Sequence, residues 1–334
     1  MITMKITVIL CTYNRCLTLA KALDSVAAST LPRSVEWDVL VVDNNSHDQT
    51  RKVVEDFCQQ SPGRFRYLFE TKQGKSHALN SGIREARGDV LAFTDDDVAV
   101  EPTWLQNLTA GLHNGEWAGA GGRVLAQQTF SPPPWLPLDG PYSMRGMLAM
   151  FDLGDKQGRL DQPPFGNNMA FLKSMFEKHG GFRTDMGPCP GSEIRNEDTE
   201  FGRRLLAAGE RLRYEPSAIV YHAVPENRLS KPYFLAFWFD HGRASIRELG
   251  KKPDIWGIPR RYLTLLKIGA LLLQRTLRWL LTLNRKRRFY FKGFAWMTAG
   301  EIVEIYRQLI STEKQKHPGV PKTHRDAQDV VIEE

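Results

Sequence analysis

The sequence predicts an α/β protein: a nucleotide-binding type of sheet flanked by helices, with a helical, basic C-terminal extension behind it. Three observations carry that reading. Runs of strand formers alternate with stretches of helical apolar spacing over residues 5–97. That order implies parallel strands joined by right-handed crossovers. One of the runs, Val90-Leu91-Ala92-Phe93, leads into Asp95-Asp96-Asp97. Ten basic residues and no acid fall between residues 255 and 300, in a segment also rich in Leu and Trp.

The elements follow in order. Lys5 to Cys11 is the first expected strand, since Thr7-Val8-Ile9-Leu10 are β-branched or aliphatic. Thr12 to Arg15 form a turn, and Leu19, Leu23 and Val26 mark a helix over residues 17–28, ended by Pro32. Trp37 to Val42 is a second strand. It runs into the polar turn Asp43–Thr50, which opens a helix over Val53–Cys58. Phe65–Phe69 is a third strand and Ala78–Ala86 a helix. The run Val90–Phe93, short, apolar and bounded by Gly88 and by acids, is expected as a buried central strand. Ligands of open α/β sheets sit at the carboxyl ends of strands. Three adjacent acids there repel one another unless a cation joins them, and oxygen ligands suit Mg²⁺ or Mn²⁺. The alternative is an acidic turn capping a helix that starts near Pro102.

Composition narrows the function. Neither a G-x-G-x-x-G nor a Walker glycine loop is present, which disfavours dinucleotides and P-loop chemistry. The four cysteines show no paired metal spacing and are expected as reduced thiols. The apolar run Ile6–Leu10 is too short for a signal peptide. The net charge is +7. The basic segment alone carries +10, which leaves the rest of the chain at −3, so nucleic acid is not an expected partner.

Four blocks then carry a resemblance. Val8-Ile9-Leu10-Cys11-Thr12-Tyr13-Asn14-Arg15, Val41-Val42-Asp43-Asn44-Asn45-Ser46-x-Asp48-x-Thr50, Gly74-Lys75-x-x-Ala78-Leu79-Asn80-x-Gly82 and Asp95-x-Asp97 resemble family 2 glycosyltransferases in order and spacing. The likeness covers residues 5 to about 225. It implies a GT-A fold, meaning a mixed sheet flanked by helices. It also implies a nucleotide-sugar donor, with UDP as the expected nucleotide, a divalent metal (Mn²⁺ or Mg²⁺) and inversion at the anomeric carbon. By the same resemblance Thr12 and Asp43 hold base and ribose, and Lys75 lies near the base or diphosphate. Asp95 faces the ribose and Asp97 takes the metal. Asp96 stays open between these roles, because three acids in a row do not set the register. Asp48 and Thr50 are expected to cap the following helix, and Asn80 to be structural.

The second half is expected to build the acceptor side. Gly119–Val124 reads as a strand. Residues 130–141 hold five prolines and are neither helix nor central strand. Trp135 in that loop is either a sugar-stacking platform or part of a surface excursion. Pro164 to Phe171 resembles the family's acceptor-side strand, with Gly166 admitting a sugar closely and Asn168 among the acceptor contacts. Acids in the first turn of a helix usually answer the macrodipole. By resemblance, however, Asp198 is the base that deprotonates the acceptor hydroxyl, and Glu197 helps to hold the acceptor. A lone histidine is more often structural, but by the same resemblance His222, at the end of a last strand, is a metal or diphosphate contact. Arg228 follows it on a stretch that either closes over the diphosphate or is simply solvated.

Pro232 to Ile246 reads as an aromatic-rich helix. Leu263 to Leu283 is interrupted by Lys267, Gln274, Arg275 and Arg278, whereas a spanning helix needs about 20 mostly apolar residues. With Trp279, Phe289, Tyr290, Trp296 and the Arg285–Arg288 cluster it is expected to lie in the plane of an anionic membrane face; a packing domain with a basic side is the alternative. The expected organisation is a catalytic domain over 1–230, with a nucleotide-binding half (1–105) and an acceptor half (106–230). A helical, membrane-associating region (231–312) and a disordered tail (313–334) follow. The expected function is inverting transfer from a nucleotide sugar to a glycan or lipid-linked acceptor, in the cytoplasm at the inner face of the cell membrane. The alternatives are a sugar-phosphate nucleotidyltransferase and a non-catalytic scaffold on the same fold.

Overall fold

A computed structural model describes residues 4–192, 194–250 and 260–316. The first half is β1 (Lys5–Thr12), α1 (Cys16–Ala27), β2 (Glu36–Asp43), α2 (Thr50–Gln60), β3 (Phe65–Phe69), α3 (Lys75–Glu85) and β4 (Val90–Asp95). The strands lie parallel in the order β3-β2-β1-β4. β1 is buried at every position after Lys5, as a strand covered on both faces must be. The register pairs Thr12 with Asp43 and Cys11 with Asp95. The polar ends of three strands therefore lie side by side at the carboxyl edge.

Beyond β4 the chain forms β5 (Val98–Val100), α4 (Trp104–Thr109), β6 (Gly119–Ala126), β7 (Gly158–Leu160), β8 (Met169–Leu172), α5 (Lys173–His179), α6 (Glu197–Ala207) and β9 (Leu212–His222). Here the sheet becomes mixed. β8 inserts antiparallel between β4 and β6, and β6 runs parallel to β9. β5 pairs antiparallel with β9 and sets Val98 opposite His222. This short strand was not expected, because three residues after an acidic turn give no periodicity to read. It decides the site, since its register carries Asp97 to the end of β9. The helix after Pro102 stops at Thr109, and Gly111 just beyond it lies against the Arg213 side chain. β6 approaches its neighbours too closely for side chains: a Cβ at Gly119 would strike Phe171, and one at Gly122 would strike Asn168 and the Ala218 carbonyl.

α6 is seated by an aromatic cluster. Phe201 stacks on Phe176 at 4.5 Å and meets Phe171 edge-on at 5.1 Å; Phe93 and Phe182 close the group. Such pairs contribute about 0.5–1.5 kcal/mol each beyond the area they bury. The N-terminus of α6 is thereby held at the sheet's carboxyl edge.

Three helices follow: α7 (Lys231–Leu249), α8 (Arg260–Leu281) and α9 (Arg285–Lys316). α7 and α9 cross closely, Gly242 against the Met297 backbone and Gly300 against that of Phe239. Trp135, Phe234 and Phe289 form a second core that ties the proline-rich loop to these helices. No helix among the described residues is long and apolar enough to cross a membrane. α9 runs four residues into the segment expected to be disordered, and residues 317–334 lie outside the described ones, as do residues 251–259, which include the start of the basic stretch.

Candidate active site

A cleft of about 430 Å³ opens at the carboxyl edge of β1 and β4, closed on the far side by the start of α6 and by α7. Thr12, Lys75, Asp95, Asp96, Asp97, Glu197, Asp198 and His222 all line it, together with Arg15, Asn167, Arg195 and Arg228. Residues that lie far apart in sequence thus meet on one surface.

The three acids divide their work. Asp95 accepts a bond from Lys75 Nζ at 2.7 Å. Asp96 points inward, accepting from Thr12 Oγ1 at 2.7 Å and from Arg15 Nη1 at 3.0 Å. Burial raises the Asp96 carboxyl to about 6 despite Arg15, and the Asp97 charge adds to the rise. Asp97 faces outward, its Oδ1 lying 3.7 Å from His222 Nε2 and its Oδ2 3.1 Å from Arg15 and 3.6 Å from Arg228. The register that the sequence left open is settled by packing: only Asp97 faces the histidine.

His222 is buried, and its Nε2 lies 3.0 Å from Arg228 Nη1 while its Nδ1 finds no partner. Burial holds the imidazole below its ordinary value, against the pull of Asp97. It is neutral at pH 7, the form that offers a nitrogen lone pair.

Lys75 joins the two halves of the site. Its ammonium is bonded to Asp95 and lies 3.7 Å from Glu197 Oε1. Burial opposes its charge, yet Asp95 and Glu197 outweigh it and hold the group above its ordinary value. Gly74, at φ +130°, turns the chain into α3 and donates its N–H to Asn44 Oδ1 at 2.8 Å, in a backbone conformation that L side chains rarely adopt.

Asp198 is aimed by the backbone. Its Oδ2 accepts the Gly166 N–H at 2.6 Å and its Oδ1 the Thr199 N–H at 2.6 Å. A Cβ on Gly166 would come within 2.8 Å of Asp198 Oδ2. Gly166 was expected to make room for a sugar; here it makes room for the carboxylate. Glu197 beside it is buried, and burial pushes its carboxyl to about 7 against the attraction of Lys75.

That shift gives a stability test. A carboxyl whose folded value is raised from 4.5 to about 7 stabilises the fold fully below the lower value. The contribution is lost as pH rises through the higher one. Glu197→Gln lacks this dependence. Its melting temperature minus that of the parent is therefore expected to grow by a few degrees from pH 4.5 to 7 and to stay level above, as followed by thermal denaturation. A gap that shrinks with rising pH contradicts the assignment.

Three of the expected contacts are corrected. Trp135 is no platform in the cleft: its ring packs at 5.3 Å from Phe234 and 4.5 Å from Phe289, because the proline-rich loop needs an apolar anchor. Asn168 faces the core. Its amide accepts from Trp104 Nε1 at 2.8 Å and donates to the carbonyls of Arg123 and Ala218, pinning β6 to β9. Asn168→Ala is expected to cost about 3 kcal/mol, from polar groups left unpaired in the core. Chemical denaturation checks this; a loss near zero would return Asn168 to the cleft. Asp43 stands level with Thr12, but its carboxylate is taken by the Tyr67 hydroxyl at 2.8 Å and the Ser46 N–H at 2.9 Å, below the cleft surface.

Asn167 and Arg15 are among the cleft residues that had been given no role. Asn167, not Asn168, lines the cleft; it is buried, and neither its side-chain oxygen nor its nitrogen is hydrogen-bonded. Nothing in two successive asparagines before a short strand reveals which one faces in. Arg15 stood in the first block, but its span to both Asp96 and Asp97 becomes visible only once β1 and β4 are neighbours. The bland expectations are met in part: Asp48 accepts from the N–H groups of Thr50 and Cys16 at the starts of α2 and α1, and Asn80 makes paired bonds with the Phe182 backbone, whereas Thr50 is the first residue of α2 and donates its hydroxyl to Asp48 instead of capping the helix.

Comparison with known proteins bears on the family and the fold. The chain is 28% identical to the succinoglycan biosynthesis protein ExoM of Rhizobium meliloti over 250 residues, 75% of this chain and 77% of that one. It is 27% identical to a glucosyl-dolichyl phosphate glucuronosyltransferase of Haloferax volcanii over 241 residues, 70% and 75% of the two chains. Among solved structures, a mannosyltransferase from Pyrobaculum calidifontis, in complex with GDP-Man and Mn²⁺, superposes with a TM-score of 0.59 at 19% identity over 91% of this chain and 87% of that one. That likeness is one of fold, a GT-A type of mixed sheet with flanking helices. The profile of glycosyl transferase family 2 matches residues 7–180, more than half of the sequence and all of the strands that carry the acidic turn, and the chain belongs to that family.

Proposed function

We propose that this glycosyltransferase moves a sugar from a UDP-sugar, with a divalent metal and inversion, onto a hydroxyl of a glycan or lipid-linked acceptor. One observation carries the reading: Asp97 with His222, and Asp198 held by the Gly166 N–H, open onto the same cleft. In this reading Thr12 and Asn44 meet the nucleoside end, and Lys75 and Asp95 lie beside the ribose and diphosphate. Asn167 takes the acceptor role expected of Asn168. Asp198 takes the proton of the attacking hydroxyl while the nucleoside diphosphate leaves, so one displacement suffices and no covalent intermediate is required. Glu197, neutral over part of the physiological range, donates a hydrogen bond to the acceptor.

The residues present fit a metal. Asp97 and His222 offer one oxygen and one nitrogen donor, and the groups now facing that pair are guanidinium cations, Arg15 and Arg228. Among the described residues no third His, Cys, Asp or Glu converges with them. Ions such as Mg²⁺ commonly bind through one or two protein groups and take the rest from substrate phosphates and water. When bound, the ion would neutralise charge on the departing diphosphate. Arg15 and Arg228 act on the same charge from the protein side. Release of UDP or GDP from a panel of nucleotide sugars, with Mn²⁺ or with EDTA, tests the donor reading. Release from UDP-sugars that EDTA abolishes supports it, and release that ignores EDTA contradicts it.

The relatives named for succinoglycan biosynthesis and for a dolichyl phosphate substrate support polysaccharide or glycolipid assembly at a membrane. We assign catalysis to 1–230 and membrane contact to 231–312. The outer face of α8 exposes Leu266, Leu273, Leu277, Leu280 and Leu281 beside Lys267 and Arg278, with Arg285 to Arg288 exposed at the start of α9. That stripe is about 22 Å long at 1.5 Å per residue. Leucines flanked by basic side chains suit the inner, anionic face of a cell membrane. The full-length protein is expected to float with phosphatidylglycerol vesicles, and Leu273→Glu with Leu277→Glu to abolish flotation. Flotation unchanged by the pair would remove the membrane from the account.

A further inference from the structure

A second cavity, of about 250 Å³, adjoins the cleft and shares Arg195, Asn196, Tyr233 and Phe237 with it. Its wall is one stripe of α7. Tyr233, Phe237 and His241 recur every four residues and therefore face the same way. The Phe237 and His241 rings are nearly parallel, 12° apart with centroids at 6.4 Å, and Tyr233 lies 6.5 Å from Phe237. Asn196 faces this stripe from the left-handed region at φ +79°, its amide 3.0 Å from His241 Nδ1. The Arg195 guanidinium sits 5.5 Å from the centre of the Phe237 ring. Asp240 supplies a carboxylate at the far end.

The exposed lining is mostly apolar and aromatic, with the polar groups of Arg195, Asn196, Asp240 and His241 at its margin. A pyranose ring has the matching surface, an apolar C–H face bordered by hydroxyls. The cavity is smaller than the roughly 300 Å³ at which drug-sized pockets begin, which suits a single sugar ring. It also begins beside Arg195 and Asn196, immediately ahead of Glu197 and Asp198, where the reacting hydroxyl is placed.

We propose that this cavity is an acceptor subsite. It holds the sugar unit next to the one being glycosylated, so the preferred acceptor is an oligosaccharide of two or more units. The assignment rests on the reading of Asp198 as the base, because that fixes where the first acceptor sugar lies. Burial, with Arg203 next, holds His241 below its ordinary value, so the ring stays neutral and stacks as an aromatic face.

Calorimetric titration of the full-length protein, saturated with UDP and Mn²⁺, tests it with matched pairs: glucose and cellobiose, mannose and mannobiose, N-acetylglucosamine and chitobiose. At least one disaccharide is expected to bind roughly tenfold more tightly than its monosaccharide, the size of effect that one good aromatic contact supplies. Phe237→Ala and His241→Ala are each expected to erase that preference, and Phe237→Tyr to keep it. No disaccharide preference in any pair, a preference that survives both alanine variants, or displacement of the disaccharide by farnesyl phosphate would overturn the proposal. UDP affinity read in the same titrations is a separate result. If UDP fails to bind while the disaccharide preference behaves as expected, the donor assignment falls and the subsite stands.

Discussion

Asp198→Asn is expected to lower the rate of sugar transfer by about 10³-fold, in the middle of the range for loss of a general base. UDP is expected to bind the variant as it binds the parent. The substitution is close in shape. The amide oxygen can still accept the Gly166 N–H or the Thr199 N–H, though not both, since the other position becomes a donor. A small loss of stability is therefore part of the expectation and is read separately from the melting temperature. A quenched-flow or coupled assay of nucleotide release with acceptor present measures the rate. Transfer within a few-fold of the parent would remove Asp198 as the base and point to Glu197, the other carboxylate at the start of the helix.

The second large effect concerns Asp97. In the parent, UDP with Mn²⁺ at a hundredfold excess over its dissociation constant is expected to stabilise the fold by about 2.7 kcal/mol, seen as a rise of several degrees in melting temperature. Asp97→Ala is expected to lose most of that rise, and UDP without metal to give little of it even in the parent. The reason is electrostatic. Five carboxylates and four basic groups line the cleft, and a diphosphate adds negative charge that the cations do not offset while Arg15, Lys75 and Arg228 remain paired with acids. Asp95→Ala is a useful contrast, because its main partner is Lys75. It frees a cation and is not expected to abolish the metal-dependent rise. Equal loss in both variants would mean that the acidic turn acts as one undivided cluster.

The parallel half of the sheet and the acidic turn were legible because both rest on local signals. Val90–Phe93 is apolar and bounded, and the three acids follow it without a gap. The second half was legible only in part: strands were expected where β6, β8 and β9 lie, but β5 is three residues long and takes its place from pairing rather than propensity. The same physics governed the site. Asp97, His222, Lys75 and Asp198 fell into one cleft. The choice among three acids, or between Asn167 and Asn168, depended on which way a single residue turned, and a shift of one position in a strand reverses that. Trp135 misled for another reason: a tryptophan among prolines serves a buried anchor as well as a sugar, and only the presence of Phe234 and Phe289 across from it separates the two. The aromatic stripe of α7 was visible as composition, but its meeting with Asn196 was not, since that contact spans two elements with no sequence link.

The most direct measurement is anomalous diffraction from crystals of the protein grown with UDP and Mn²⁺. The account predicts a manganese peak bound by the Asp97 carboxylate, with the diphosphate of UDP at the same ion and Asp198 open to the space beside it. A peak held by other residues, or UDP bound with its phosphates away from the turn between β4 and β5, would contradict it.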